Sequence, residues 1–228
     1  MPDFTSAEYS AILLSLKVSV VATLLSLPFG FALAYLMTYR RFRGKVALDV
    51  LVNLPLTLPP VVIGYLLLLL LGQKGFIGRH ILQPFGISLI FTWKAAVIAT
   101  AVVGFPLLVR SIRIGMETID QGLIQASRTL GAGPQDSMLT VILPLSLRGI
   151  IAGSALMFAR GLGEFGATII VAGNIPGVTQ TIPLAIYDYA SSPNGDRMAM
   201  ALCAVSVAIS VAVLLFHEYL SRRMIRGD

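Results

Sequence analysis

Charge is scarce in this chain. Only 12% of its 228 residues are Asp, Glu, Lys or Arg, against 56% hydrophobic, and mean hydropathy is +0.85. A soluble domain carries about a quarter charged residues, so a water-solvated globule is excluded. Cysteine occurs once, as Cys203 inside "MAMALCAVSVAISVAVLLF", which rules out an intrachain disulfide. The two histidines, His80 and His217, have no Cys or His partner at ligand spacing, so no metal site is expected. A Walker A loop is missing: the nearest stretch, Arg43-Gly44-Lys45-Val46, lacks both the upstream glycine and the Ser or Thr after lysine. ATP is therefore not expected to be hydrolysed by this chain. No Ser/His/Asp or Cys/His set is arranged for nucleophilic attack, so no catalytic residue and no cofactor are expected. Strand-period alternation is absent, which argues against a barrel. Acids within the apolar runs are nearly absent too, Glu164 being the one well inside. An intramembrane enzyme, or a secondary transporter driven by an ion gradient, needs paired acids or histidines at matched depth. Both readings suffer from that shortage, and no inverted repeat supports the second.

Long apolar runs are what the chain has. A membrane helix takes about 20 mostly apolar residues, and five segments qualify: Ala11–Met37, Val46–Leu71, Leu89–Val109, Leu147–Val171 and Met198–Leu220. The expectation is an all-α polytopic bundle of about five transmembrane helices, in one transmembrane unit over residues 1–228. Pro28, Pro55, Pro59, Pro60 and Pro106 lie in or at the ends of these runs, and in lipid such kinks need neighbouring helices to re-satisfy the freed carbonyls. Gly149-Ile-Ile-Ala-Gly153 is a GxxxG pattern that permits close backbone approach. The segment 173–197 is half apolar and reads either as a re-entrant dip or as a sixth span.

The basic residues are unevenly shared between the loops. One set holds eleven, from Arg40, Arg41, Arg43 and Lys45 through Arg110, Arg113, Arg128 and Arg148 to Arg222, Arg223 and Arg226. The other holds four, Lys74, Arg79, Lys94 and Arg197, while Lys17 and Arg160 fall within spans. The positive-inside rule then puts the N-terminus outside, the C-terminus in the cytoplasm and the segment 110–148 in the cytoplasm. Net charge is +6, but the bases are scattered between apolar spans, which argues against nucleic acid. Lys17 is expected to snorkel to the headgroups and Trp93 to anchor at the interface.

One cytoplasmic stretch, "IQASRTLGAGPQDSMLTVILPLS" from Ile124 to Ser146, interrupts the oil. Asp120 is placed to cap a helix in which Leu123, Ile124, Ser127 and Leu130 share one face. Small Ala126 and Ser127 would let another surface come close. Gly131 falls where a left-handed turn ends the helix, Pro134 suits the first turn of the next, and Pro144 kinks or restarts it. Two readings stand: an amphipathic helix on lipid headgroups, or a docking element for a soluble partner. Deeper in the fourth run, Arg160 and Glu164 share a helix face among Gly161, Gly163 and Gly166. They form either a self-neutralising structural pair or part of a passage for an anion.

Gln125-Ala126-Ser127, then Gly131, then Val141-Ile142-Leu143-Pro144 resembles the EAA motif of ABC importer permeases in its spacing throughout. It departs at Gln125 for Glu, Ser127 for Ala and Val141 for Ile. "LPLTLPPVVIGYLLLLLLGQKGFIG" and "ARGLGEFGATIIVAGNIPGVTQTIPLAIY" resemble the permease subunit of molybdate transporters. The resemblance covers essentially the whole chain. It implies the type I ABC importer permease fold in the inner membrane. The expected partners are an ATP-binding subunit, a second copy of the chain as a homodimer, a periplasmic molybdate-binding protein and surrounding lipid. Contact with the ATPase is then expected over residues 120–146, at Leu123, Ile124, Gln125, Ala126, Ser127, Leu130, Gly131, Leu143 and Pro144. The pathway residues would be Arg160, Gly163, Glu164 and Gly166. Sulfate and tungstate remain alternatives as cargo.

Overall fold

The computed structural model describes the backbone of residues 4–226 and side chains through Tyr219. The side chains of Arg222, Arg223 and Arg226, counted above among the cytoplasmic bases, lie outside the described residues. Helix α1 runs from Ser6 to Tyr39. Its start is fixed by Thr5, whose hydroxyl accepts from Ala7 N–H while Glu8 accepts from Thr5 N–H at 2.6 Å, a reciprocal cap that satisfies two free backbone donors. Its buried face is small and repeats every three to four positions, through Ala11, Ser15, Ser19, Ala22, Ser26, Gly30 and Ala34. Leu13, Leu24, Leu25 and Phe29 are exposed on the other side. Hydrocarbon solvates leucine as well as a helix neighbour does, so it is small residues that bring backbones together in lipid.

Helix α2 spans Lys45–Thr57 and α3 spans Pro60–Leu71. The second apolar run was expected as one span. It is broken at Leu58–Pro59 by a bend of 114°, because Pro59 and Pro60 offer no N–H to continue the ladder. Helix α4, Trp93–Glu117, is the centre of the bundle, with Ala95, Ala96, Ala99, Val103, Leu108, Ile112 and Met116 buried. It lies parallel to α1. At one end Tyr39 donates its hydroxyl to the Met116 carbonyl at 3.0 Å, and at the other the Lys17 ammonium sits 3.9 Å over the Trp93 ring. Lys17 therefore does more than snorkel: its charge is held on α4 by the ring face.

Past α4 come α5 (Gln121–Thr129), α6 (Pro134–Ser137), a π-helical turn (Met138–Ile142) and α7 (Leu143–Leu145). Helix α8, Leu147–Leu162, runs back antiparallel to α4. The GxxxG pattern makes that contact. A Cβ on Gly149 would lie 2.8 Å from the Ser111 carbonyl, and one on Gly153 2.9 Å from the Leu108 carbonyl. Opposite Gly149 stands Gly115, where a Cβ would fall 2.9 Å from the Gly149 Cα. The glycine pair is thus used within the chain.

The fourth run, expected to extend unbroken to Val171, stops at Leu162 and restarts as α9, Gly166–Ala172. Segment 173–197 contains α10, Ile182–Ala190, of 9 residues. That is about 14 Å of helix, well short of the roughly 30 Å hydrocarbon layer, so no sixth span forms there. Helix α11, Asp196–Arg226, closes the chain. Among the described residues three helices, α1, α4 and α11, are each long and apolar enough to cross a membrane, and the number rises to five if each of two bent pairs counts as one span. At the Tyr39 end the structure gathers Arg40, Arg110, Arg113 and Arg128.

Candidate functional site

Two constellations stand out, one at the basic end and one within the bundle. The first is α5 with its hinge. Asp120 Oδ1 accepts from Gly122 N–H at 2.8 Å and starts the helix. Gly131 ends it with φ +94°, and a Cβ there would touch nothing within 4 Å. The glycine is needed for its backbone angle and not for space. Pro134 opens α6 as expected.

The four residues placed on one face divide between two. Ile124 is buried and Ser127 half-buried, whereas Leu123 and Leu130 are exposed, Leu130 to 88%. The reason is Ser127. Its hydroxyl bonds the Ile124 carbonyl at 2.8 Å and meets the Ser137 hydroxyl at 2.9 Å, which turns that side of α5 onto α6. Gln125 and Ala126 lie on the free side with Leu123 and Leu130. Leu143 is half-buried and Pro144 exposed in α7, just before the break at Ser146 where the chain bends by 64° into α8. The outer face of α5 is therefore a short apolar strip beside a small residue, with no covering element among the described residues.

The second constellation lies at the break between α8 and α9. Glu164 is 3% exposed and its Oε1 caps α9 by accepting from Ala167 N–H at 2.9 Å. Its other oxygen, Oε2, is 2.9 Å from Arg160 Nη1. That approach is off the hydrogen-bonding direction, so the contact is an ion pair without an aligned hydrogen bond. Arg160 keeps a third of its side chain exposed.

The glycines here have unequal roles. A Cβ on Gly166 would meet Pro60 Cβ at 3.0 Å, and one on Gly161 would meet Thr100 Cγ2 at 2.7 Å, but nothing lies closer than 4.0 Å to one on Gly163. Gly166 lets the start of α9 rest on the α2–α3 break, so the two helix breaks meet beside the ion pair. Gly64 tightens the same junction, its Cβ position being 2.8 Å from the Ala167 carbonyl. Ser19 Oγ and Thr100 Oγ1, buried next to Gly161, have no hydrogen-bond partner among the described residues.

A third polar group was not anticipated. Asp188 on α10 accepts from Asn174 at 2.8 Å and from Gln180 at 2.7 Å, and so holds the 174–181 loop closed at the end opposite the arginines. Tyr189 donates to the Glu8 carboxylate, which ties α10 to α1. That bond, with some burial, pushes the Tyr189 hydroxyl up to about 12. Each member sat in view as a polar residue in an apolar stretch, but their pairing depends on how the loop closes. No group of three or more metal-ligating side chains occurs among the described residues.

Comparison with known proteins agrees with this anatomy. Residues 26–226 match the family described as binding-protein-dependent transport system inner membrane component. The chain is 52% identical to the molybdenum transport system permease protein ModB of Escherichia coli K12, over 96% of this chain and 95% of that protein. It is 50% identical to ModB of Haemophilus influenzae, over 95% of each. Identity to the putative molybdenum transport permease YvgM of Bacillus subtilis is 41%, over 95% of this chain and 96% of that one. Among solved structures, a chain of a bacterial alginate ABC transporter, in complex with an alginate pentasaccharide-bound periplasmic protein, superposes with TM-score 0.77. It is 17% identical and covers 96% of this chain and 80% of that one. The inward-facing MetNI methionine ABC transporter superposes with TM-score 0.74 at 17% identity, over 93% and 94% of the two chains. At such identity these two speak for the fold alone.

Proposed function

We infer function from one premise: this chain belongs to the family of binding-protein-dependent transport inner membrane components. It is the multi-pass membrane permease of an ABC importer, in a family without catalytic activity of its own, and it works with an ATPase subunit and a binding protein. Its cargo is molybdate. The observation that carries this reading is identity of about half, along nearly the whole length, to permeases of molybdenum transport.

The coupling reading of α5 is supported by its shape. Leu123, Ala126 and Leu130 offer an apolar strip that fits a groove on the ATPase, with Gln125 at its edge. Closure of the ATPases pulls α5, Gly131 lets it swing, and α6 and α7 carry the pull through Leu143 and Pro144 into α8. Because α8 is seated on α4 through Gly149 and Gly153, the two move together. The far end of α8 carries Arg160, Glu164 follows it in the break, and the two set the angle of α9 against α3. A shift at the ATPase thus arrives at the junction of the two breaks. An oxyanion passing there meets Arg160, a third exposed, while Glu164 keeps the arginine placed and prevents the anion from being trapped.

The permease works as a homodimer, because α1, α4 and α8 are sealed against one another by small residues and the passage needs a second wall. The arginine-rich end faces the cytoplasm, which puts the N-terminus in the periplasm and a molybdate-binding protein at the α10 end. The deciding experiment restores this chain with its ATPase and binding protein to cells lacking their own molybdate importer. Cell molybdenum should rise to the normal level at trace molybdate in the medium. If sulfate or tungstate accumulates and molybdenum does not, the cargo assignment is wrong.

A further inference from the structure

We propose that a cavity between the end of α1 and the α5–α6 hinge binds a tetrahedral oxyanion of the phosphate class. The cavity measures about 470 Å³ and is lined by Tyr35, Tyr39, Arg40, Arg128, Ala132 and Pro134. Arg40 caps α1, its backbone N–H bonded to the Leu36 carbonyl at 3.1 Å. Arg128 stands in the last turn of α5, on the side it shares with buried Ile124 and away from Ala126. Neither guanidinium is paired with a carboxylate among the described residues.

The tyrosines complete the lining. Tyr39 spends its hydroxyl on Met116 and packs against Tyr35 with ring centroids 5.3 Å apart and the rings tilted by 47°. The Tyr35 hydroxyl has no protein partner among the described residues, so it is free to donate. Two fixed positive charges and one free donor then face a space that holds no negative charge.

The neighbouring cavity shows that this is not a general property of the basic end. It has a volume of about 330 Å³ and is lined by Arg110 and Arg113, but also by Asp49. Arg113 lies 3.4 Å from Asp49 and 2.8 Å from Glu117. That site carries its own counter-charges. The Arg40–Arg128 cavity does not, and two like charges on one cavity favour an anion that binds both. Guanidinium forks match tetrahedral oxyanions, with two parallel N–H donors to two oxygens.

Two sources share this chemistry: the phosphate of a phospholipid headgroup, since the cavity lies where α1 ends, and a free oxyanion on the same side. Either one bridges α1 to the coupling element and resists the swing at Gly131. Occupancy then adjusts how easily the ATPase moves the permease. The site is separate from the cargo path, and its binding is measured without any transport step.

The test uses the permease assembled with its ATPase subunit in lipid nanodiscs. In discs of phosphatidylcholine alone, binding of radiolabelled inorganic phosphate is measured. In discs containing phosphatidylglycerol, native mass spectrometry counts the retained anionic lipid. Wild-type protein, Arg40→Gln/Arg128→Gln, Arg40→Lys/Arg128→Lys and the distant control Arg79→Gln are compared. The proposal expects a loss of at least tenfold in the glutamine pair, partial retention in the lysine pair and no change in the control. Phosphate bound in neutral discs identifies the free anion as ligand, and retained phosphatidylglycerol without phosphate binding identifies the lipid. Wild-type protein that binds neither, or a glutamine pair that binds as well as wild type, overturns the proposal. A glutamine pair that sheds the ATPase subunit, when wild type holds no oxyanion, also overturns it and gives the arginines to a carboxylate of that subunit.

Discussion

Removing Arg160 should damage this protein more than neutralising Glu164, although the two form one ion pair. The difference follows from burial: 2% of the Glu164 side chain is exposed and 33% of the Arg160 side chain. Arg160→Ala strands a carboxylate that has only the Ala167 N–H left. Breaking a fully buried pair this way costs about 3–5 kcal/mol, and water reaching the exposed third of the arginine screens part of that. About 2–3 kcal/mol remains, roughly a 30- to 150-fold shift in the folded ratio. Glu164→Gln is milder. The amide oxygen still accepts from Ala167, and the freed guanidinium turns to solvent, for a loss of about 1 kcal/mol. The double variant Arg160→Ala/Glu164→Gln should then cost less than the two single changes added together, because no unpaired charge is left inside. Reversible unfolding of the purified permease in mixed detergent micelles measures all three. If Arg160→Ala proves no worse than Glu164→Gln, the burial argument is wrong. Transport separates structure from pathway: a double variant that folds but fails to move molybdate places Arg160 on the path, and one that transports at the wild-type rate removes it.

Other consequences are open to measurement. Gly131→Val meets no neighbour, so its cost is the strain of φ +94°, about 1–3 kcal/mol. With Ala126→Glu it should leave the permease inserted but abolish transport in a combined pull-down and uptake assay; normal ATPase binding and uptake in both would end the coupling reading. Gly149→Leu forces apart α4 and α8 and should lower the amount of permease in the membrane, whereas Gly163→Ala, with open space around it, should be tolerated on an immunoblot. Tyr189 is raised from 10.0 to about 12 by its bond to Glu8. A raised value means that folding favours the protonated form, so the α1–α10 tie is complete below pH 10 and is lost as pH climbs through about 12. The difference in tyrosinate absorbance between wild type and Tyr189→Phe should have its midpoint there, and a midpoint near 10 would mean that the tie is absent in solution. With Cys203 replaced, an impermeant thiol reagent applied from outside should label Asn174→Cys or Gln73→Cys and spare Arg41→Cys; labelling of Arg41→Cys reverses the orientation.

What was legible in the sequence was whatever repeats or punctuates. The apolar runs reported membrane helices because hydrocarbon demands about 20 such residues in a row. Asp120, Gly131 and Pro134 reported the ends of α5 and the start of α6 because each has a backbone role that few other residues fill. The breaks were harder to see. Pro59 and Pro60 announced a kink but not its 114°, since the angle depends on α3 lying against α9. The stop at Leu162 carried no proline at all. It is fixed where Glu164 reaches forward to cap α9, beside the seat of Gly166 on Pro60. The face of α5 was misjudged for a similar reason. Helical spacing groups Leu123 with Ser127, but Ser137, ten residues on, decides which side turns inward.

The small residues connect these local facts into a mechanism. A coupling helix can drive a distant gate only if the helices between them do not slip. Leucine surfaces in lipid slide at little cost, because lipid contacts replace helix contacts. Glycine against backbone does not slide: moving Gly149 one turn along α4 would bring a larger side chain into a space that admits not even one Cβ. The same holds where Gly166 meets Pro60 and Gly64 meets Ala167. The Gly149 seat lies between the Gly131 hinge and the Arg160–Glu164 pair, with α8 as the rod, and the other two lie just past the pair, where α9 meets α3. The hinge glycine is no such seat: a Cβ on Gly131 would touch nothing within 4 Å. On the coupling reading proposed above, the tightly seated glycines carry the force and the left-handed turn at Gly131 swings.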